Sequence, residues 1–361
     1  MKFIKLHKQL ILTLSILLIL FIITIISIDI LKSGDKEKNS SHLCDIALLS
    51  SKVLDEEYFN QIETSVSNMA ESLDKSYKTF SLSDYDNSYD KILEAAVKSN
   101  ASLVVLPDSS YEETMYNYQS TYVNTYFILI DGIPHNSDSS DNTINYNVHS
   151  LVYDKSDSSF LAGYAAVYEG YEHLNFICDT TDTQALQYCY GFLQGADYAA
   201  SQANKSNVKV NISYSSDKDN TAYSVPIDTD IIATASDTII KELEKDTSIS
   251  QIPIIDCDSC NLNSDRIIMS ASVNLSPLIE DKILSFFNND KKDGGTLTLK
   301  NALEYEISLT YDDSVFDNFD DEAYNKILTS VNNQEVSIIS DISIPIDELD
   351  LSHISVTDNN S

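Results

Sequence analysis

The sequence predicts an α/β protein of two lobes with a cleft between them, preceded by one N-terminal transmembrane helix. Short apolar segments alternate with amphipathic helical segments, which is the pattern of parallel sheets covered on both faces. A polar loop at Asn136 to Asn142 interrupts the first series, and a second series of similar make-up opens at Leu174. The chain of 361 residues is long enough for two domains of ordinary size.

The N-terminal segment predicts a membrane anchor. Every position from Leu10 to Ile28 is uncharged, and most are Leu or Ile, which is long enough to cross a bilayer as a helix. Lys2, Lys5 and Lys8 precede this run, so the positive-inside bias places the N-terminus in the cytoplasm and the rest of the chain outside. The alternative is a cleaved signal peptide, although the sequence Asp29 to Lys32 is a poor cleavage site.

The first series of elements follows a polar, non-periodic tether at Lys32 to Ser41. Its strands are short apolar runs, and the third and fourth end at Pro107 and at Asp131-Gly132. Its helices carry apolar residues at helical spacing. The predicted strands are Ile46–Leu49, Lys78–Leu82, Ser102–Leu106, Tyr126–Ile130 and Ser150–Tyr153, and the predicted helices are Tyr58–Leu73, Tyr89–Ser99 and Ser158–Tyr168.

The second series has the same make-up. Its predicted strands are Leu174–Ile177, Val208–Tyr214, Asp230–Ala233, Pro253–Ile255 and Ile267–Met269, followed by a strand-rich return at Leu297–Thr310. Its predicted helices are Thr183–Ala203, Asp237–Lys245 and Tyr324–Val331. In open α/β sheets the ligand crevice lies outside the carboxyl ends of the strands. We therefore expect the residues after Leu49, Leu106, Ile130, Ile177 and Ile255 to face a ligand.

Composition excludes several classes of partner. The net charge of −33 leaves no basic patch for nucleic acid or for an anionic lipid surface. The Cys257-x-x-Cys260 pair has no second pair of ligands at zinc spacing, so we predict no metal site. A local disulfide there, two free thiols, and pairing of Cys178 with Cys189 all remain open.

Three ordered segments carry a family resemblance. They are D-E-E-Y-F-N-Q at Asp55–Gln61, S-F-L-A-G-Y-A-A at Ser159–Ala166, and F-I followed by Y-x-Y-G-F-x-x-G from Phe176 to Gly195. Together they resemble the basic membrane lipoprotein family of bacterial solute receptors, also called PnrA-like, whose best-known members bind purine nucleosides. The similarity extends from about Cys44 to Pro345. No lipobox follows the apolar run, so a helix anchor would replace the lipid of the relatives.

The resemblance implies a periplasmic-binding-protein-like type I fold, with two Rossmann-like lobes joined by a hinge. It implies a non-enzymatic receptor that needs no cofactor, binds a nucleoside-like small molecule and delivers it to an ABC permease. With the anchor, we expect a single-pass protein on the extracellular face of the plasma membrane of a Gram-positive bacterium. The alternative is a surface-anchored regulatory or sensory module with an altered or lost pocket. An enzyme ranks third, because His135, His149 and His173 have no catalytic motif around them.

Boundaries follow from the series and the resemblance. The expected units are a cytoplasmic n-region and anchor at 1–31, a linker at 32–44, lobe 1 at 45–165 plus about 256–295, lobe 2 at 166–255 plus about 296–350, and a tail at 351–361.

The resemblance also indicates the ligand-binding residues. Phe59 and Tyr188 fall at the two positions that sandwich the base, where stacking contributes about 0.5–1.5 kcal/mol beyond burial; each could instead be a core residue. Asp55 opens the first motif, and Asn60 could bind sugar or base edges or cap its helix. Asp131 and Asp256 end buried strands and match family aspartates, with Asp131 expected to accept from ribose hydroxyls.

The chain departs from the family pattern at four places. Cys178-Asp179 replaces a Gly-Gly pair, and Ala235-Ser236-Asp237-Thr238 replaces a glycine-rich loop. Val273 stands at the family lysine, and Ser259 replaces a glutamine. Loss of a charged donor would remove roughly 1.5–3 kcal/mol of binding free energy, so purine nucleoside specificity is less well supported than the fold.

Overall fold

The computed structural model describes residues 44–359, except 53, 55, 137–141, 180–184, 216–222, 259–261, 263, 289–293 and 301–305. The predicted anchor at Leu10–Ile28 and most of the predicted linker lie outside these residues. None of the helices in the described ranges is long and apolar enough to cross a membrane.

The first sheet has six parallel strands in the described chain, in the order β11-β5-β4-β3-β1-β2. The strands that come first, third and fourth along the chain are buried at nearly every position, which explains their continuous apolar sequences. The strands are β1 (Ile46–Leu49), β2 (Tyr77–Phe80), β3 (Leu103–Leu106), β4 (Tyr126–Ile130), β5 (Val148–Tyr153) and β11 (Thr296–Lys300).

The second sheet has seven strands in the described chain, in the order β12-β10-β9-β8-β6-β7-β13. All of its neighbours are parallel except β10 and β12, which are antiparallel. Its strands are β6 (His173–Asp179), β7 (Val208–Ser215), β8 (Ile231–Thr234), β9 (Ile254–Asp256), β10 (Ile267–Asn274), β12 (Glu306–Tyr311) and β13 (Ile354–Asp358). Two largely parallel sheets agree with the predicted α/β class.

Helices cover the two sheets. They are α1 (Glu56–Ser72), α2 (Tyr89–Lys98), α3 (Glu112–Tyr118), α4 (Ser156–Glu169), α5 (Ala185–Gln202), α6 (Asp237–Lys245), α7 (Ser276–Phe287) and α8 (Asp321–Asn332). One apolar core includes residues of both sheets together with α1, α4, α5 and α7. Smaller cores lie between the first sheet and α2, and between the second sheet and α6.

Helix α4 leaves the end of β5 in the first sheet and packs against α5, β10 and β12 of the second lobe. Its contact with α5 depends on glycines of the sequence motifs. A Cβ atom on Gly163 would overlap the carbonyl of Phe192, and one on Gly195 would overlap the carbonyl of Phe160. The S-F-L-A-G and G-F-x-x-G segments therefore allow two helix backbones to approach closely.

Several predicted boundaries differ from the structure. Strands β9 and β10 belong to the second sheet, so the crossing back to lobe 1 comes after Asn274 and not at residue 256. Helix α7 then packs on α1, and β11 joins the first sheet although residues 296–350 were assigned to lobe 2. The predicted tail is wrong over Ile354–Asp358, because this segment pairs with β7. Helices α3 and α7 were not predicted.

Candidate functional site

A cavity of about 130 Å³ lies where the carboxyl ends of the two sheets meet. Each wall residue follows or ends a strand, or begins the next helix, so the cavity occupies the crevice expected for open α/β sheets. The first lobe supplies wall residues after β1, β4 and β5, and the second supplies them after β8 and β9. The lining residues are Leu54, Tyr58, Asp131, Tyr153, Lys155, Ala235, Asp237, Asp256 and Asp258.

A buried ion pair forms part of the cavity wall on the side of the first lobe. The Nζ atom of Lys155 donates to Oδ2 of Asp131 at 2.6 Å, and the two side chains are 6% and 15% exposed. Asp131 follows β4 with a left-handed φ of 54°, a conformation that aspartate tolerates better than most residues. The pair spans the turn after β4 and the start of α4, the helix that carries the chain into the second lobe.

Tyrosines surround the same ammonium group. The Lys155 Nζ atom lies 5.1 Å from the ring centroid of Tyr153 and 5.4 Å from that of Tyr188, within cation–π range. Tyr58 donates a hydrogen bond from its hydroxyl to that of Tyr153 at 3.1 Å. Burial raises the pKa of Tyr153 and of Tyr188 well above the ordinary value, and nearby carboxylates contribute a smaller increase. Both hydroxyls therefore stay protonated at neutral pH.

The second-lobe wall carries carboxylates. Asp256 ends β9 and is 4% exposed, and its Oδ1 atom accepts the backbone N–H of Asp258 at 3.1 Å. This local turn aims two aspartates at the crevice. Asp237 begins α6 at the rim and lies 3.5 Å from the exposed Lys241 ammonium. Lys155 is the one cationic side chain among the described residues that line the cavity.

Two departures from the family pattern contact each other. The Ser236 hydroxyl donates to Oδ2 of Asp179 at 2.7 Å, and the same hydroxyl oxygen caps the N-terminus of α6. Asp179 and Ser236 stand in the two segments where the family pattern has glycines. Their hydrogen bond links the end of β6 to the residues that follow β8. Val273 is 3% exposed and sits opposite Ile307 of β12, in the main core. The position of the family lysine is apolar here because it packs against the core.

The six predicted site residues separate into groups. Asp131 and Asp256 line the cavity, and Tyr188 is buried behind Lys155. Phe59 packs half-buried against the main core and does not line the cavity, so the structure does not bring the predicted aromatic pair together around it. Asn60 is exposed in a separate open groove of about 530 Å³. Asp55 lies outside the described residues.

Four cavity residues were absent from the sequence-based set, namely Tyr58, Tyr153, Lys155 and Asp258. Asp131 was predicted because residues that follow the carboxyl ends of strands face the crevice. The same rule applies to β5, which ends at Tyr153, and Lys155 lies two positions after it. Asp258 follows the end of β9 by two positions, so the same rule applies to it. Tyr58 faces the cavity in place of its neighbour Phe59 because a one-residue step on a helix turns a side chain by about 100°.

Cysteines and histidines form no metal centre in the described chain, where no three ligand-type residues are grouped to hold an ion. Cys44, Cys178, Cys189 and Cys257 are buried free thiols. Burial raises the pKa of Cys189 well above the ordinary value, and a hydrogen bond with Cys178 adds to this effect. Cys178 and Cys189 are therefore neighbours without a disulfide, and Cys260 lies outside the described residues.

Solved structures of the same fold include ABC transporter solute-binding proteins. One from Aeropyrum pernix K1 shows 14% identity over 81% of this chain and 86% of its own, with a TM-score of 0.53. One from Conexibacter woesei DSM 14684 shows 13% identity over 82% and 98%, with a TM-score of 0.56. A transcriptional activator of the comK gene from Bacillus halodurans shows 13% identity over 83% and 98%, with a TM-score of 0.55.

Among curated proteins, none matches the chain significantly. The family model Bmp, described as ABC transporter substrate-binding protein PnrA-like, matches residues 45–348. This match covers both sheets apart from β13, and it includes every residue that lines the cavity. The chain therefore belongs to the Bmp family of PnrA-like ABC transporter substrate-binding proteins.

Proposed function

We propose that this protein captures a small solute between its two lobes and hands it to an ABC permease. The observation that carries the proposal is the cavity between the sheets, where Asp131 comes from one lobe and Asp256 from the other. A ligand that contacts both carboxylates stabilises the closed arrangement of the lobes, which is the basis of hinge closure in binding proteins. Membership of the substrate-binding family supports the permease as the partner.

The proposed location is the extracellular face of the plasma membrane. The uncharged run from Leu10 to Ile28 with lysines before it supports an uncleaved anchor. The strongly acidic composition supports a solvated domain outside the cell. Mass spectrometry of the membrane fraction should find the intact N-terminus. A mature chain that begins near Lys32, or one that is lipidated at Cys44, would refute the anchor.

The proposed ligand is a nucleoside or a related small molecule. The family membership supports this class, and Tyr58 and Tyr153 supply aromatic groups at the cavity wall. The volume of about 130 Å³ lies below the usual range of roughly 300–1,000 Å³ for ligand pockets. It therefore favours compact members of the class, such as a free base, over a complete nucleoside.

Isothermal titration calorimetry on the full-length chain in detergent tests this function. Nucleosides and nucleobases should release heat with the wild type, and Asp256→Asn should weaken binding by about tenfold or more, since it removes a charged acceptor. Asp313→Asn, at an exposed residue that does not line the cavity, is the matched control and should bind as the wild type does. Equal loss in both variants would mean that Asp256 does not contact the ligand.

A regulatory or sensory module is the second candidate. The observation that favours it is the Lys155 ammonium, which already occupies Oδ2 of the strand-end carboxylate Asp131. Fold does not separate the two candidates, because the same architecture serves unrelated functions. A chain that gives no thermal or calorimetric response to any tested solute at millimolar concentration would favour the regulatory candidate over the importer.

A further inference from the structure

We infer that the amino-terminal end of the first sheet lies on the outer surface of the membrane that anchors the chain, with tyrosine rings at the level of the lipid headgroups. This inference rests on the proposed anchor and goes beyond it, because an anchor alone leaves the orientation of the folded domain undefined. The partner is the lipid bilayer itself. The contact surface, called the tyrosine end below, is formed by Tyr77, Tyr122, Val123 and Tyr146.

These four residues lie at one end of the first sheet. The neighbouring strands that the structure describes in this sheet are parallel, so their amino-terminal ends form one edge. Tyr77 begins β2 and pairs with Ile46, the first residue of β1. Tyr122 and Val123 precede β4, and Tyr146 precedes β5. The fold thus brings four separate positions of the sequence to the same end of the lobe.

The side chains at the tyrosine end are mostly aromatic, and several are exposed. Tyr146 is 65% exposed, and its hydroxyl donates to the backbone carbonyl of Val123 at 3.3 Å. Tyr77 and Val123 are exposed as well. Tyr122 stacks on Tyr118, with ring centroids 5.8 Å apart and an interplanar angle of 11°. Tyrosine is enriched where a membrane meets water, because its ring is apolar and its hydroxyl can stay hydrated.

Charge distinguishes this end from the rest of the chain. The connections between elements at the tyrosine end carry two carboxylates and one ammonium, those of Asp45, Asp74 and Lys75, in a chain whose net charge is −33. These connections are residues 44–45, 73–77, 99–103, 119–126, 142–147 and 294–296. Anionic lipids repel an acidic surface and do not repel an uncharged one. The tyrosine end can therefore approach a bilayer closely without a basic patch, although the chain as a whole is acidic.

The connection to the proposed anchor brings this end to the membrane. The proposed anchor ends at Ile28, and the chain enters β1 after Cys44, with about 15 residues between them. A connection of that length reaches at most roughly 50 Å when fully extended. Tethering presents the surface to the bilayer at a high effective concentration, so weak contacts are sufficient. Because few side chains take part, the contact is reversible and leaves delivery to a permease possible. The crevice, at the opposite ends of the same strands, stays open to solutes.

Brominated lipids test the contact directly, because the chain contains no tryptophan. Tyr146→Trp places one reporter at the tyrosine end, and Tyr168→Trp places one at an exposed position of α4 in the second lobe. The full-length variants are reconstituted into phosphatidylcholine vesicles with or without dibrominated acyl chains. Tyr146→Trp should lose about half of its emission in the brominated vesicles, since a ring at headgroup level lies beside shallow bromines. Tyr168→Trp should lose little.

A matched pair of valines tests the surface itself. Val123 and Val315 are 42% and 41% exposed, and only the first lies at the tyrosine end. Adding Val123→Glu to Tyr146→Trp should remove most of the quenching, because a carboxylate resists transfer to the interface. Adding Val315→Glu should leave the quenching unchanged. Salt at about 0.5 M should also leave it unchanged, since screening weakens contacts between charges and this one has none.

Flotation of the vesicles separates this inference from the anchor. Tyr146→Trp protein that floats with the vesicles and shows no quenching would overturn the inference and leave the anchor standing. Equal quenching of Tyr146→Trp and Tyr168→Trp would overturn it too, because the domain would then have no preferred orientation. Emission shifted to the blue without quenching would mean that a second copy of the chain, and not lipid, covers this end. Protein that does not float would contradict both the anchor and the contact.

Discussion

Asp131 and Lys155 form a buried ion pair between the end of β4 and the start of α4, with 2.6 Å between Oδ2 and Nζ. Lys155 lies where the chain leaves the first lobe for the second, and Asp131 follows β4, the strand beside β5 in the first sheet. The pair therefore links the shape of the cavity to the connection between lobes. It also gives Asp131 a structural role that its position at a strand end does not reveal.

Asp131→Asn should destabilise the protein, because it leaves the Lys155 charge buried without its carboxylate. Loss of one partner of a buried pair costs about 3–5 kcal/mol, and asparagine tolerates the left-handed backbone at this position. Urea unfolding of the wild type and the variant measures the difference. The double variant Asp131→Asn with Lys155→Met should recover much of the loss, and strictly additive effects would show that the pair is not coupled.

Gly195→Ala should separate α4 from α5. The added Cβ would overlap the carbonyl of Phe160, and backbone atoms cannot move aside as a flexible side chain can. Overpacking of this kind costs about 1–3 kcal/mol, and sometimes more, although alanine is the better helix former. Ser201→Ala, near the end of the same helix, is the control and should stay within about 0.5 kcal/mol of the wild type. A more stable Gly195→Ala protein would contradict this packing.

Alkaline pH should unfold the protein through its buried tyrosines. Burial raises the pKa of Tyr164 to about 12, and it raises the pKa of Tyr153 and of Tyr188 well above the ordinary value. The unfolded chain releases these protons near pH 10 and the folded chain does not. The contribution of these tyrosines to the free energy of unfolding is therefore constant below about pH 10 and falls as the pH rises above it. Tyrosinate absorbance should show some of the 22 tyrosines titrating only with loss of circular dichroism. Titration of all of them near pH 10 in a folded protein would contradict the burial.

Asp197→Ala should release the C-terminal strand β13. The Oδ1 atom of Asp197 accepts the backbone N–H groups of His353 at 2.7 Å and Ile354 at 3.2 Å. Its removal should cost about 1.5–3 kcal/mol, as for hydrogen bonds to charged groups. Amide hydrogen exchange should speed up across Ile354–Asp358 and much less in β6. Asp350→Ala, which changes an exposed neighbour, should leave exchange unchanged.

Local patterns were sufficient for most elements. The apolar runs at Ile46–Leu49 and Tyr126–Ile130 and the helix at Asp237–Lys245 match the structure at both ends. The strand β13 was missed because it is short, buries only Ile354 fully, and pairs with β7, far away in the sequence. Helix α7 was missed because a polar stretch flanks it and its apolar face packs on α1 from the other end of the chain.

The sequence by itself determined the fold class, the family and the strand ends that can face a ligand, because these depend on periodicity and on short motifs that each segment carries alone. Only the tertiary structure decided which strand ends meet, that Tyr58 rather than Phe59 lines the cavity, and that Lys155 forms an ion pair with Asp131. Those outcomes depend on helix rotation and on the docking of one lobe against the other. Burial and charge at the cavity are set by contacts between distant segments, which no local pattern encodes.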